Sequence, residues 1–153
     1  MHISAKTDYA MRAMLVLAAA EPDAWVKAEV ISEQQRLPRK FLEAILSDLR
    51  RARLVESLRG ADGGYRLAKP ASKIYVADVM RAVDGPLAEV RGLRPETLEY
   101  EGSAARLQDV WIAVRGGLRA VLERVTVADV ATGEMPASVQ TMVREEEAWT
   151  PRY

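Results

Sequence analysis

Pro38-Arg39-Lys40-Phe41-Leu42-Glu43-Ala44-Ile45-Leu46-Ser47-Asp48-Leu49-Arg50-Arg51-Ala52 reads as a single amphipathic helix. Phe41, Leu42, Ile45, Leu46 and Leu49 fall at offsets of 0, 1, 4, 5 and 8, which makes one apolar stripe that has to face a core. Lys40, Glu43, Ala44, Ser47 and Arg51 form another face of small, hydrogen-bonding or charged residues, with no bulk to hold a partner away. Proline is tolerated at a first helical position, so Pro38 marks the start. A face of this kind can lie in a major groove with its N-terminal residues at base edges.

The flanks extend the pattern. Upstream, Tyr9, Ala10, Ala13, Met14, Leu17 and Ala18 predict a helix over Thr7 to Ala20, stopped by Pro22. A shorter helix is expected over Val26 to Gln35, separated from the next by a tight turn at Arg36-Leu37. Downstream, Leu54 to Arg59 and Tyr65 to Ala68 have strand character, and Gly60-Ala61-Asp62-Gly63-Gly64 between them predicts a hairpin. Three helices followed by a hairpin is the order of a winged helix-turn-helix, mainly α with a small β-hairpin, in which the hairpin is the wing. Gly63 and Gly64 free the turn for positive φ and close backbone approach, and Arg59 and Arg66 flank it as candidates for phosphate or minor-groove contact. As a nucleotide phosphate loop the same cluster fails, because no Lys-Ser/Thr follows and no helix begins there.

Charge supports the same region. The chain of 153 residues carries 22 basic and 22 acidic residues, yet the excess is basic in residues 1–85 and acidic in residues 86–153. It is most concentrated over residues 36–73, where Arg36, Arg39, Lys40, Arg50, Arg51, Arg53, Arg59, Arg66, Lys69 and Lys73 face only Glu43, Asp48, Glu56 and Asp62. A local basic patch in a balanced chain is the footprint of a phosphate-binding face, although a solvated charged surface has the same composition.

Absences exclude several chemistries. Cysteine is missing, so disulfides, thiolate nucleophiles and Cys-held metal centres are out, and His2 as the one histidine leaves no Ser-His-Asp triad or two-histidine metal site. The carboxylate pairs Asp78 with Asp84 and Glu99 with Glu101 stand where helix ends and loops ordinarily carry charge, so the chain is not read as an enzyme. No apolar run reaches the length of a membrane span. Lys6, Arg12 and the apolar Ala13 to Ala20 have the outline of a leader, but Asp8 interrupts the basic part and the apolar run is short; a cytoplasmic protein is expected.

The remainder divides at Asp84-Gly85-Pro86, a strong stop after a short helix over Ala77 to Val83. Residues 1–85 form one unit; residues 86–102 lack a steady period and read as a loop, a region for sensing. From Ser103, a candidate N-cap, a helix is expected to reach about Val125, a length of roughly 35 Å. Leu107, Trp111, Val114, Leu118, Val121 and Val125 are spaced by 4, 3, 4, 3 and 4, the seam of a coiled coil. That favours a two-fold dimer interface over a long helix packed on its own domain. Gly116-Gly117 within it implies a close approach or a bend. Thr126-Val-Ala-Asp129 opens a short helix that completes the 103–135 unit, and Pro136 opens a last helix in the 136–153 tail, which ends in an acidic solvated face at Glu145-Glu146-Glu147.

Taken in order, five motifs resemble the Rrf2 family of IscR, NsrR and CymR regulators over roughly residues 1–132. They are Tyr9-Ala10 with Ala13-Met14-Leu15; Phe41-Leu42-Glu43 with Leu46 and Leu49-Arg50; Arg59-Gly60 to Gly63-Gly64-Tyr65-Arg66-Leu67-Ala68; Ala77-Asp78-Val79 with Val83 to Leu87; and Trp111 with Thr126 to Asp129. The resemblance implies a bacterial transcription regulator that binds double-stranded DNA as a homodimer at a palindromic operator, most often as a repressor. It carries base reading to Lys40 and Glu43 and a minor-groove role to Arg59, while Arg39, Ser47, Arg50 and Arg51 follow from surface position. Glu43 repels phosphate but can accept from a cytosine amino group, adding selectivity at the expense of non-specific affinity. Cluster-binding members of the family place cysteines in the region matching residues 88–106, where this chain has Glu89, Val90, Arg91, Gly102 and Ser103; Asp8 and Arg12 stand where an acidic residue and a histidine serve in some members. No cofactor is therefore expected. The resemblance leaves the signal open, with a small-molecule or protein co-effector possible and an apolar site near Leu98, Tyr100 and Trp111 as one location, plain core being the other reading of those residues. Two alternatives stand beside the main reading: a partner- or metabolite-responsive regulator of cysteine and sulfur metabolism, as among cysteine-independent relatives, and a protein–protein module that has lost DNA binding.

Overall fold

A computed structural model describes residues 1–152. The winged unit is built on α1 (Ala5–Ala19), α2 (Ala28–Gln35), α3 (Arg39–Arg51), the strands β1 (Val55–Leu58) and β2 (Gly64–Leu67), and α4 (Val76–Asp84). α1 runs through its centre. Ala10, Ala13, Met14, Val16 and Leu17 are buried in it, against Ile31 of α2, Leu42, Ile45, Leu46 and Leu49 of α3, and Val79 and Val83 of α4. The apolar stretch with the outline of a leader is thus the middle of the core.

Polar ties fix the ends of these helices. Ser4 caps α1 by accepting from the Thr7 amide at 2.9 Å, and the hydroxyls of Ser4 and Thr7 both donate to Asp84 at the end of α4, that of Thr7 at 2.6 Å. Arg12 donates to the side chain and the terminal carbonyl of Gln35, placing a cation at the negative end of α2. The turn into α3 needs a left-handed residue, Arg36 at φ 53°, after which Leu37 is buried and Pro38 caps rather than opens the helix. A hydrogen bond at 2.6 Å from Lys6 to Asp48 joins α1 to α3 and holds the Asp48 carboxyl below its usual range.

β1 and β2 pair antiparallel, with Val55 opposite Leu67 and Leu58 opposite Gly64. Val26, expected in a helix, instead exchanges backbone hydrogen bonds with Tyr65 at 2.8 and 2.7 Å, so the segment before α2 is a third edge to the wing. Two glycines make that possible. A Cβ on Gly63 would meet the Leu58 carbonyl oxygen at 2.0 Å, and one on Gly64, at φ 151°, would meet the Val26 carbonyl oxygen at 2.5 Å.

Beyond α4 the chain leaves the core through Gly85 and returns only at Val125. Between them, residues 86–106 are ordered by two short 3-10 turns, Pro95–Thr97 and Gly102–Ala104, with Pro95 and Leu98 buried. Ser103 lies in the second turn, and α5 starts later and stops earlier than its sequence pattern suggests, at Leu107–Leu122. Val125 is buried, its carbonyl accepts from the Val76 amide, and Thr126 caps α6 (Val127–Thr132), which packs back on α1. A capping box forms between Thr126 and Asp129, with bonds of 3.0 and 2.8 Å. α7 (Ala137–Arg144) is followed by a separate turn, α8 (Glu146–Trp149), where one helix was expected. No helix among the described residues is long and apolar enough to cross a membrane.

Candidate nucleic-acid interface

The hydrophobic period of α3 determines which side chains it offers outward. With Leu42, Ile45, Leu46 and Leu49 fully buried, Arg39, Lys40, Glu43, Ala44, Ser47, Arg50 and Arg51 are all exposed. Phe41 is a correction to the apolar stripe: it sits at the stripe's edge, is 54% exposed and meets Tyr9 edge-on with ring centres 6.3 Å apart. It therefore belongs to the outward surface, at the first turn of α3.

Arginines on this surface differ in how free they are. Arg39 is held between Glu29 and Glu43, the latter at 3.3 Å; its pKa is raised by these bonds, and Glu29 is lowered by its backbone hydrogen bond and then by Arg39. Glu43 consequently presents a carboxylate already turned toward a cation. Arg50 donates to Ser57 of β1 at 3.2 Å and Arg51 pairs with Asp48 at 3.0 Å. Arg66 is the most committed: it stacks over Trp25 at 4.1 Å and pairs with Glu56 at 3.1 Å, on the sheet face away from the core. Lys40 and Arg59 form no ion pair among the described residues, and both are exposed. Gly63 is buried and Gly64 half-buried, so their work is to shape the wing.

An open groove separates α3 from the wing, lined by Arg39, Glu43, Gly60, Gly63, Gly64 and Lys27. The turn over residues 59–63 is closed by a bond from the Gly63 amide to the Gly60 carbonyl, and Arg59 is its first residue, next to Gly60 on the groove wall. Sequence reasoning missed Lys27 and Phe41, which become part of the surface only once α2 is seen to start at Ala28 and Phe41 to turn out.

The six residues of the expected dimer seam are divided by the structure. Val114 is 45% exposed; Leu107, Trp111, Leu118 and Val121 are half-buried; Val125 lies past the end of α5 in the chain's own core. The strongly exposed apolar side of α5 is rotated from the expected seam and runs along Val110, Ala113, Val114 and Gly117. A Cβ on Gly116 or Gly117 would touch nothing within 4 Å, so neither serves packing inside the chain, and α5 runs through both without a break. Trp111 donates to the Tyr100 hydroxyl at 3.1 Å and Leu98 is buried, so these residues pack the loop onto α5.

Metal chemistry finds no donor set here. Cysteine is absent from the sequence, and no group of three or more His, Asp or Glu among the described residues is gathered to hold an ion. Glu89, Val90 and Arg91 of the loop offer no soft sulfur donor and do not fit an iron–sulfur centre.

Comparison with known proteins supplies the context. Residues 3–133 match the family model described as "Rrf2: Iron-dependent Transcriptional regulator". Rv1287 of Mycobacterium tuberculosis, provisionally named an HTH-type transcriptional regulator, is 46% identical over 148 residues, 97% of this chain and 92% of that protein. The HTH-type transcriptional regulator CymR of Bacillus subtilis is 35% identical over 86% of this chain and 91% of its own length. In structure, CymR, described as the global cysteine regulator of B. subtilis, superposes with a TM-score of 0.72 at 33% identity, covering 86% of this chain and 97% of that one. T. potens IscR gives 0.70 at 30% identity, over 100% of this chain and 94% of that one.

Proposed function

Because the chain belongs to the Rrf2 family of transcriptional regulators, we propose that it binds a two-fold DNA operator as a homodimer, in the cytoplasm, and represses the adjoining genes. The observation that carries this reading is the exposed face of α3 beside a wing whose Arg59 is exposed and unpaired. Lys40 and Arg59 are spent on no partner among the described residues, as are Lys27, Arg36 and Arg53, whereas Arg39, Arg51 and Arg66 are paired. Unpaired cations around the groove between α3 and the wing, Lys27 on its wall among them, suit a polyanionic partner. Lys40 and Glu43 would reach base edges, Arg59 the minor groove or its phosphates, and Ser47, Arg50 and Arg51 the backbone.

Dimerisation would use the exposed apolar side of α5. Val110, Val114 and the half-buried Val121 supply the hydrocarbon, while Ala113 and Gly117 let two helices approach closely. Such a strip repays its exposure only when covered, since apolar area left in water forfeits about 25 cal/mol per Å2. The iron dependence in the family's description is not part of this reading, because the donors for a cluster are missing.

The test is to incubate the purified protein with fragmented genomic DNA and sequence what is retained. One palindromic motif is the expected result; on that motif, log K should fall with log salt at a slope of about −5 if the dimer neutralises about six phosphates. Retention of no motif, or a flat salt response, would refute DNA binding.

A further inference from the structure

Between the end of α4, the segment after it and the flank of α5 lies a cavity of about 440 Å3. Its walls bring together Arg81 of α4, Arg94 of the loop and Arg115 and Arg119 of α5, with Glu96 as the carboxylate among them. Arg115 pairs with Glu96; Arg81 pairs with Glu123, which Arg119 also approaches at 3.7 Å. These bonds hold both carboxylates ionised below their usual range, Glu123 chiefly through Arg81 and Glu96 through its backbone hydrogen bond and then Arg115. Four guanidinium groups therefore face two carboxylates, and Arg94 forms no ion pair among the described residues.

Convergence of like charges from three separate elements is unfavourable unless a counter-charge joins them. The Arg115 side chain is only 17% exposed, so water screens it poorly. Pro86, Leu87 and Ala88 give the cavity a hydrocarbon wall, and the amides of Leu87 and Ala88 take part in no hydrogen bond among the described residues. The size falls in the range of small-molecule sites, and planar guanidinium forks match carboxylate and phosphate oxygens. Arg119 lies nine residues past Val110, about two and a half turns, so the cavity opens on the opposite side of α5 from the exposed valines. We propose that this cavity is the binding site of a small organic anion bearing carboxylate or phosphate groups, held by Arg94 and Arg119 with Arg81 and Arg115 as the inner pair. The site stands whether or not the protein binds DNA.

Calorimetric titration of the full chain at fixed ionic strength, once with inorganic phosphate and once with citrate, tests it. Saturable binding of either, one per chain, is expected, and the anion that binds tells a phosphoryl ligand from a polycarboxylate. Arg94→Gln should weaken that binding about tenfold, the loss of one charge-assisted hydrogen bond. Arg94 is exposed and unpaired, so this variant keeps the fold; Arg119→Gln is the second, with the same expected loss. Binding untouched by both variants, binding lost only in Arg59→Gln on the wing, or no saturable binding of either anion would overturn the assignment.

Discussion

In α3, Leu42, Ile45, Leu46 and Leu49 are fully buried, whereas the longer α5 has no buried residue despite an apolar sequence of comparable regularity. The difference lies in what surrounds each helix. α3 is enclosed by α1, α2, α4 and β1, while α5 touches its own chain through α4 and the Pro95–Thr97 turn alone among the larger contacts. An amphipathic stripe thus reports that a helix is to be covered; it does not report by which chain. In α3 the cover is intramolecular and the polar face is left for recognition. In α5 the chain covers one flank, and the valine strip is available to a second copy.

This contrast can be broken most strongly in the core. Leu46→Ala should destabilise the winged unit by about 2–5 kcal/mol, read by thermal or denaturant unfolding, because it opens a cavity among immobile neighbours. Val114→Asp should leave the fold of the monomer nearly intact and instead dissociate the proposed dimer, by about 3 kcal/mol if an unpaired charge is trapped in the seam. Sedimentation at several concentrations checks it; a variant that stays dimeric would show that α5 is not the seam. Arg59→Ala should weaken operator binding by about 1–3 kcal/mol without changing the melting temperature. Equal binding would remove the wing from recognition.

Acid gives the smallest and most graded effect. Asp48 in the body, and Glu96 and Glu123 beside α5, have carboxyl pKa values lowered in the folded protein by their partners. Their contribution is present above the ordinary carboxylate range and is lost as pH falls through the lowered values, so stability should decline below about pH 4. Asp48→Asn should make that decline shallower in a melting curve followed against pH. Glu123→Gln should alter the acid response of α5 while leaving that of the core unchanged.

Much of the fold was legible because it rests on local pattern. The Pro38–Ala52 periodicity, the Gly-rich hairpin turn and the Thr126–Asp129 box each act within a few residues, and each corresponds to an element of the structure. Phe41 was misplaced because an offset at the edge of a stripe is satisfied by either face, and only the position of Tyr9 decides it. α5 starts late, after the separate 3-10 turn Gly102–Ala104, and Gln108 near its start donates to the carbonyls of Pro95 and Leu98, a tie that no capping pattern announces. Val125 continued the heptad spacing but is claimed by the backbone pairing with Val76. The arginine cavity joins positions 81, 94, 115 and 119, a spacing without period, so it became visible only when α4 and α5 were placed side by side. Of the candidate DNA contacts, exposure on α3 could be read from the helix period, but the commitment of Arg39 and Arg66 to neighbours could not.

The seating of Gly63 and Gly64 against Leu58 and Val26 makes the hairpin an extension of the helix-turn-helix and not a hinged flap. The backbone on either side of the turn that carries Arg59 is therefore tied to the helix-turn-helix before any partner arrives. On the proposed reading, binding would carry little entropy penalty for ordering the wing, and association would be limited by orientation of the whole molecule, not by a loop searching for its groove. A side chain at position 64 would loosen this caliper first, and would be felt as slower and less discriminating encounter before it was felt as unfolding.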